Sequence, residues 1–169
     1  WFDGTMWYHS ARTKAIEEKL RSGELGAVRR MSAHFTFMAP DDAWLNGGNN
    51  RTNKDKEPQG CLGDMGHYPI SAILWAFDWE LPERAQTTYT KLNTVDTIVS
   101  LEAALFWSND RRATLDIGAD CPHRSQFEIC TDSNVIKVDD LVGGQGRSGD
   151  FAAYFVPFVG SQQYTVGDV

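Results

Sequence analysis

Long apolar runs are missing from this sequence. The most extended, "ISAILWAF" at 70–77, carries a serine and falls far short of the roughly 20 residues a helix needs to cross a bilayer. A basic surplus is missing too: 16 Lys and Arg stand against 23 Asp and Glu, a formal net charge of -7. Binding to a nucleic-acid backbone or an anionic membrane needs a cationic face, and no such stripe is present. Cysteine is scarce. Cys61, Cys121 and Cys130 are odd in number and lack C-x-x-C spacing, which argues against a disulfide framework or a zinc site and favours a reducing, cytoplasmic setting. The sequon at Asn50 would matter only in a secreted chain. No H-x-x-x-H or H-E-x-x-H spacing relates His9, His34, His67 and His123, so no metal site is expected. G-x-S-x-G is absent and no base stands beside Cys61, so no Ser or Cys nucleophile is marked. His34, on the polar side of a strand pattern, and His123, after Pro122, read as surface residues.

What is present suits one folded domain. The chain has 169 residues, 41% hydrophobic and 12% aromatic, with charges of both signs well mixed. Residues 1–9 are aromatic enough for a strand, and "ARTKAIEEKLRSG" reads as a surface helix with Ala11, Ala15, Ile16 and Leu20 inward. Lys14 with Glu18 and Glu17 with Arg21 are spaced as helical ion pairs, and Gly23 is placed to end the helix in a left-handed turn. Residues 30–37 alternate strictly, with Arg30, Ser32, His34 and Thr36 opposite Met31, Ala33, Phe35 and Phe37, as a half-buried strand does. The polar stretch 41–59 is too long for a simple connector, and loops of that length are usually functional or mobile. A helix follows it. Strand patterns then recur at 85–91, 97–107, 112–118, 126–130, 135–138 and 151–158, with short turns between them that imply antiparallel pairing. The fold class is therefore α+β: an open, mainly antiparallel sheet with helices on one face. In 98–107, Val99, Leu101, Leu105 and Trp107 face one way and Ile98 and Phe106 the other, so a homodimer through the second sheet face is expected. Both ends look unlike those of a complete chain: there is no initiator Met, and the sequence stops at "QQYTVGDV" after a strand-like run. A larger parent protein is expected.

Two glycine-rich segments compete for attention. In "GGQGRSG", Gly144, Gly146 and Gly149 match G-x-G-x-x-G, with Asp168 about 20 residues on. A dinucleotide fingerprint requires a helix to open there. The following "DFAAYFVPFVG" is short, aromatic and interrupted by Pro157, so a hairpin loop is the better reading. In "GCLGDMGHYPIS", Asp64 and Tyr68 are four residues apart, which on a helix puts a carboxylate and a phenol on the same side. Pro69 confines the helix start to the region of Asp64 to His67, where free N–H groups and the positive dipole end would favour anions. Gly60, Gly63 and Gly66 would leave room for a ligand or cofactor against the backbone. Residue types alone permit a plainer reading, with Asp64 as a cap and Tyr68 in the core.

Three motifs in order, "DGTMWYHSART", "SGELGAVRRMSAHF" and "NNRTNKDKEPQGCLGDMGHYPISAILWAF", resemble the Gfo/Idh/MocA oxidoreductases over most of the chain. The D-x-G-x-Y pattern falls on Asp64, Gly66 and Tyr68, in the manner of the sugar and dihydrodiol dehydrogenase branches. The resemblance implies that residues 1–169 are the carboxy-terminal, substrate-binding and dimerising domain of a two-domain enzyme. Its amino-terminal Rossmann domain would bind NAD or NADP and supply a Glu-Lys-Pro lysine; without it this domain should not catalyse. Tyr68 would be the acid/base and Asp64 its helper, with His9, Arg12, Asn50 and Arg51 binding substrate hydroxyls, Trp7 and Trp44 stacking on a sugar, and His67 lining the pocket. The substrate would be a sugar, cyclic polyol or dihydrodiol. A non-catalytic carbohydrate-binding or assembly module on the same scaffold is the alternative, with a metal-dependent hydrolase third. A G-x-G-x-x-G and a Glu-Lys-Pro upstream of Trp1 would favour the enzyme.

Overall fold

The structure, a computed structural model, describes residues 5–141 together with the backbone of 153–157 and 164–165. The glycine-rich segment with Gly144, Gly146 and Gly149, and Asp168, lies outside the described residues.

The alternation of apolar and polar residues sets the strands. β1 (Val28–Met38) buries Met31 and Ala33 and turns Arg30, Ser32 and His34 to the other side. After two further helices come β2 (Arg84–Leu92), β3 (Ile98–Phe106), β4 (Arg112–Gly118), β5 (Asp120–Thr131), β6 (Asn134–Val138), β7 (Ala153–Pro157) and β8 (Tyr164–Thr165). They join in one sheet in the order β2-β3-β4-β1-β5-β6-β7-β8. Every neighbouring pair is antiparallel except β1 with β4. That pair is parallel because the chain returns to β1 only after a long crossover through the helices, β2 and β3, as parallel neighbours require.

Helices cover one face only. α1 (Ala11–Arg21) begins at Ser10, whose hydroxyl accepts from the Thr13 N–H at 3.1 Å, and Gly23 at φ +77 turns the chain just beyond its end. Glu17 and Arg21 pair at 3.7 Å. The buried stripe of α1 is Arg12, Thr13 and Ile16, and Ala11 is exposed. Thr13 fixes this rotation by donating its hydroxyl to the Trp7 carbonyl at 2.7 Å. α2 (Cys61–Asp64) is a single turn, and α3 (His67–Ala76) lies on the sheet with Ala72, Ile73, Trp75 and Ala76 buried. Those side chains meet Met31, Ala33, Leu115, Ile117, Ile129, Ile136 and Val138 in one core. Full burial of each large aliphatic is worth about 1.5–3 kcal/mol, so the α3 contact with the central strands is a main source of stability.

Three expectations need correction. The aromatic start is no strand: Met6–His9 is a 3-10 turn, closed by the Ser10 N–H donating to the Trp7 carbonyl at 3.2 Å, with Trp7 inserted into the core. The long polar stretch folds into compact turns, Trp44–Gly48 and Asn50–Thr52, because its Asp, Asn and Thr side chains cap its own backbone. The uncovered sheet face is also less apolar than Ile98 and Phe106 suggested. Ile98 packs against the core, and the Arg84 guanidinium lies 3.8 Å over the Phe106 ring.

Candidate functional site

The site is assembled where the long loop meets the α2–α3 junction. Gly60 opens α2 at φ 57 and ψ -135, a conformation open essentially to glycine. It is glycine for a second reason: a Cβ would lie 2.2 Å from the Ile98 carbonyl oxygen and 2.7 Å from the Thr97 methyl. Gly63 faces the Glu57 carboxylate, and Gly66 faces the Leu62 carbonyl. These glycines admit neighbouring protein groups, not the ligand or cofactor inferred from the sequence; close packing of the turn uses the space.

The helix that holds Pro69 starts at His67, within the region the sequence marked, and a separate one-turn helix precedes it. α2 ends at Asp64, Met65 and Gly66 form the joint, and Pro69 falls in the first turn of α3, where its missing N–H costs little. Asp64 thus stands at the end of α2 and ahead of α3. Its carboxylate is held by charge: Arg51 Nε donates to Oδ1 at 3.0 Å and stands 2.9 Å from Oδ2 in an ion pair. Arg51 is itself placed by Asn49, whose side-chain oxygen accepts the Arg51 N–H at 3.0 Å. The loop is anchored from the β2–β3 hairpin, where Asn93 Nδ2 donates to the carbonyls of Leu45 and Thr52 at 2.9 and 2.7 Å. Thr52, fully buried, donates to the Trp44 carbonyl at 2.6 Å.

Around the Asp64–Arg51 pair lies an open cleft of about 300 Å³ lined by Asn49, Asn50, Arg51, Lys56, Glu57 and Asp64. Two amides, two cations and two carboxylates in one place can exchange hydrogen bonds with a polyhydroxylated ligand of no strong net charge. Asn50, Arg51 and Asp64 are brought together as the sequence suggested. Asn49, Lys56 and Glu57 are additions. Their signal lay in the polar stretch itself, but nothing in its composition separated residues that line the cleft from those that face solvent.

Tyr68 does not line this cleft: α2 ends at Asp64 and α3 starts at His67, so the carboxylate and the phenol do not share one helix as their spacing implied, and Tyr68 packs against the core. It is half-buried in the first turn of α3, edge-on to Phe35 of β1 with ring centroids 5.4 Å apart, and the exposed His67 ring lies 3.9 Å from its own. Phe35 also meets the exposed His123 at 6.4 Å. Trp44 is half-buried and edge-on to Phe37, so its ring supports the loop. Beneath it, Cys61 is 1% exposed, and burial pushes its thiol up to about 12, far from a reactive thiolate.

Three residues expected at the site lie elsewhere. Trp7 is 3% exposed and packs edge-on to Trp75, seven residues and roughly 10 Å along α3 from Tyr68, so it has no free face for a sugar. His9 belongs to the same turn and meets only Tyr8 in ring contact, at the far end of α3. Arg12 is buried and donates to the Asp140 carbonyl beyond β6, tying α1 to the sheet; desolvation lowers its pKa, against the attraction of Asp140 and Asp139. All three follow from one cause: the amino-terminal aromatics fold inward at the end of α3 opposite the junction. His34 is likewise no plain surface residue. It is half-buried on the uncovered sheet face, with Nδ1 3.6 Å from Asp116, beyond hydrogen-bond range.

The described residues thus form a single sheet with one helical layer and a polar cleft at the α2–α3 junction. Residues 13–137 match the GFO/IDH/MocA C-terminal domain, and the chain belongs to that family. Similar solved structures include the 3-ketoreductase KijD10 from Actinomadura kijaniata in complex with NADP and TDP-benzene, with TM-score 0.76 and 18% identity, covering 96% of this chain and 47% of that one. An NADPH-dependent oxidoreductase from Desulfitobacterium hafniense, so far assigned only provisionally, gives TM-score 0.75 at 16% identity over 98% and 49%. Aldose-aldose oxidoreductase from Caulobacter crescentus, complexed with glycerol, gives 0.75 at 16% over 96% and 46%. The chain spans about half the length of these proteins, and at such identities the likeness establishes the fold.

Proposed function

We propose that this chain is the substrate-binding domain of an NAD(P)-dependent oxidoreductase that acts on a sugar, cyclic polyol or dihydrodiol. The observation that carries the reading is the Asp64 carboxylate, fixed by Arg51 in a polar cleft, with Tyr68 four residues on in the first turn of α3. Family membership and the NADP-bound and sugar-processing relatives support it.

The described residues build no dinucleotide cradle: β1 and β4 are the only parallel neighbours, and the α2 amino terminus is filled by the Ile98 carbonyl. NAD or NADP would be held by another part of the protein, and when bound it accepts or returns the hydride. The work of this domain is then proton transfer and positioning. Tyr68 takes the proton from a substrate hydroxyl as that carbon is oxidised, or returns it when a carbonyl is reduced. A phenol ordinarily titrates near 10, so a cation from outside this domain is needed to favour phenolate at neutral pH. Asp64 accepts a hydrogen bond from a substrate hydroxyl, and Arg51 keeps its oxygens aimed. Asn49, Asn50, Lys56 and Glu57 bind the remaining hydroxyls. By the same reading the domain pairs with a second copy through its uncovered sheet face.

The test is Tyr68→Phe in the full-length protein. The rate should drop by about 100-fold or more, the usual contribution of a positioned acid/base, with the fold intact. Turnover near the wild-type rate would remove Tyr68 from the chemistry.

A further inference from the structure

The tip of the β2–β3 hairpin meets the polar loop, and one side chain joins the two. Asn93 directly follows β2 and is half-buried. Its Oδ1 accepts the Val95 and Thr97 N–H groups at 3.1 and 2.9 Å, which closes the hairpin tip. Its Nδ2 donates to the Leu45 and Thr52 carbonyls at 2.9 and 2.7 Å. Two backbone donors on one side and two backbone acceptors on the other decide which way the amide faces and use its full capacity. Aspartate would lack both donors, and glutamine would set the amide one methylene further out.

The two carbonyls that Asn93 holds stand at opposite ends of one segment. Between Leu45 and Thr52 lie Asn49, Asn50 and Arg51, which line the polar cleft with Asp64. Neighbouring contacts repeat the tie. The Thr94 N–H donates to Asn46 Oδ1 at 3.2 Å, and Lys54 stands 3.7 Å from Asp96. A Cβ on Gly47 would stand 3.0 Å from a Val95 methyl, so the loop backbone itself comes close to the hairpin. Trp44 and Leu45 also pack against the small cluster of Cys61, Met65 and Ala119. A segment closed at both ends in this way is ordered before substrate arrives, and binding does not have to supply that ordering.

Tyr68, by contrast, is set by α3 and by Phe35. Binding of hydroxyls and proton transfer therefore depend on different supports. We propose that Asn93 is a positioning residue for substrate: by tying both ends of the 45–52 segment to the hairpin, it presets Asn49, Asn50 and Arg51, and through Arg51 the Asp64 carboxylate. This role rests on the function proposed above.

Asn93→Asp is the most selective variant. It keeps an acceptor for the hairpin N–H groups but sets a carboxylate oxygen against the Leu45 and Thr52 carbonyls. Val95→Ala, at an exposed position, loosens the same contact without a new charge, and it carries the test if Asn93→Asp does not fold. Two measurements on the full-length protein decide the matter: amide hydrogen exchange across 44–53, and steady-state kinetics with NAD and NADP on D-glucose, myo-inositol and benzene dihydrodiol. Exchange at the Thr52 N–H should quicken by about tenfold in Asn93→Asp and by less in Val95→Ala, with α3 still protected. KM should rise about tenfold in Asn93→Asp and about threefold in Val95→Ala, with kcat within about threefold of wild type. A merely structural loss would lower the active fraction, and so the apparent kcat, and leave KM unchanged. Unchanged exchange in the loop of both variants would overturn the tie itself. A loop that exchanges faster while KM stays the same would overturn the positioning role and leave the proposed function standing. If the wild-type protein turns over none of the three compounds, the proposed function falls and this role with it, whatever the loop does.

Discussion

Gly60→Ala tests whether the candidate site depends on the local packing that positions it. Two costs can be read from the structure. An L side chain at φ 57 and ψ -135 adopts a conformation worth about 1–3 kcal/mol of backbone strain. The new Cβ would also lie 2.2 Å from the Ile98 carbonyl oxygen, a backbone atom at the start of β3 that can yield only by shifting the strand, for a further cost of about 1–3 kcal/mol. A total near 3 kcal/mol corresponds to a fall in Tm of roughly 6–12 °C for a domain of this size. Gly23→Ala is the control: its φ is +77, but nothing lies within 4 Å of the built Cβ, so it incurs strain alone. The difference between the two variants in thermal denaturation therefore isolates the close approach. Because α2 begins at Gly60 and ends at Asp64, kcat/KM of the full-length protein should fall with Gly60→Ala even below the melting range, and not with Gly23→Ala. Melting temperatures for the two variants within about 2 °C of each other would refute the packing argument.

Ile73→Ala, at a fully buried position of α3 against the central strands, should cost about 2–5 kcal/mol; a loss below about 1 kcal/mol in urea unfolding would contradict the core as described. His34 should make stability depend on pH on the acid side of neutrality. Burial, with help from Arg124 and against the pull of Asp116 and Glu128, lowers its folded-state pKa below the ordinary 6.5. The unfolded chain then takes up the proton first, so stability rises with pH through this window and is lost on acidification below about 6.5, ahead of the carboxylates. His34→Gln should flatten the decline in Tm between about pH 6.5 and 5; an unchanged decline would assign it to another group.

Much of the fold was legible because its signals are local. The period of two in 30–37 became β1, and the strands after residue 84 kept their bounds to within a few residues, except that β5 extends back to Asp120; their short turns gave antiparallel neighbours save between β4 and β5, where β1 lies between the two. The amino-terminal segment was misread for a physical reason. A dense aromatic cluster marks burial, but burial can be achieved by one inserted ring, as Trp7 does against Trp75, without any strand. Helix orientation failed in the same way in α1. Its apolar residues are too few to define a stripe, and the rotation was settled by the Thr13 hydrogen bond to Trp7, which no periodicity reports.

The site divides along a similar line. Asp64 and Tyr68 could be nominated because a spacing of four suggested one helix, but the joint at Met65 and Gly66 divides them between α2 and α3. Arg51 could be nominated only as a polar residue in a loop, since its partnership with Asp64 exists across thirteen positions of chain and depends on Asn49, Thr52 and Asn93 closing that loop. The glycines were identified correctly as points of close approach, yet the approaching group was assigned to a ligand when it was the Ile98 carbonyl, Glu57 and Leu62. The consequence reaches beyond the glycines. If the backbone around Asp64 is packed solid, substrate can enter only from the loop side, where Lys56 and Glu57 stand. On the proposed reading, specificity resides in the least regular part of the chain, while the acid/base rests on the first turn of a helix packed across the sheet.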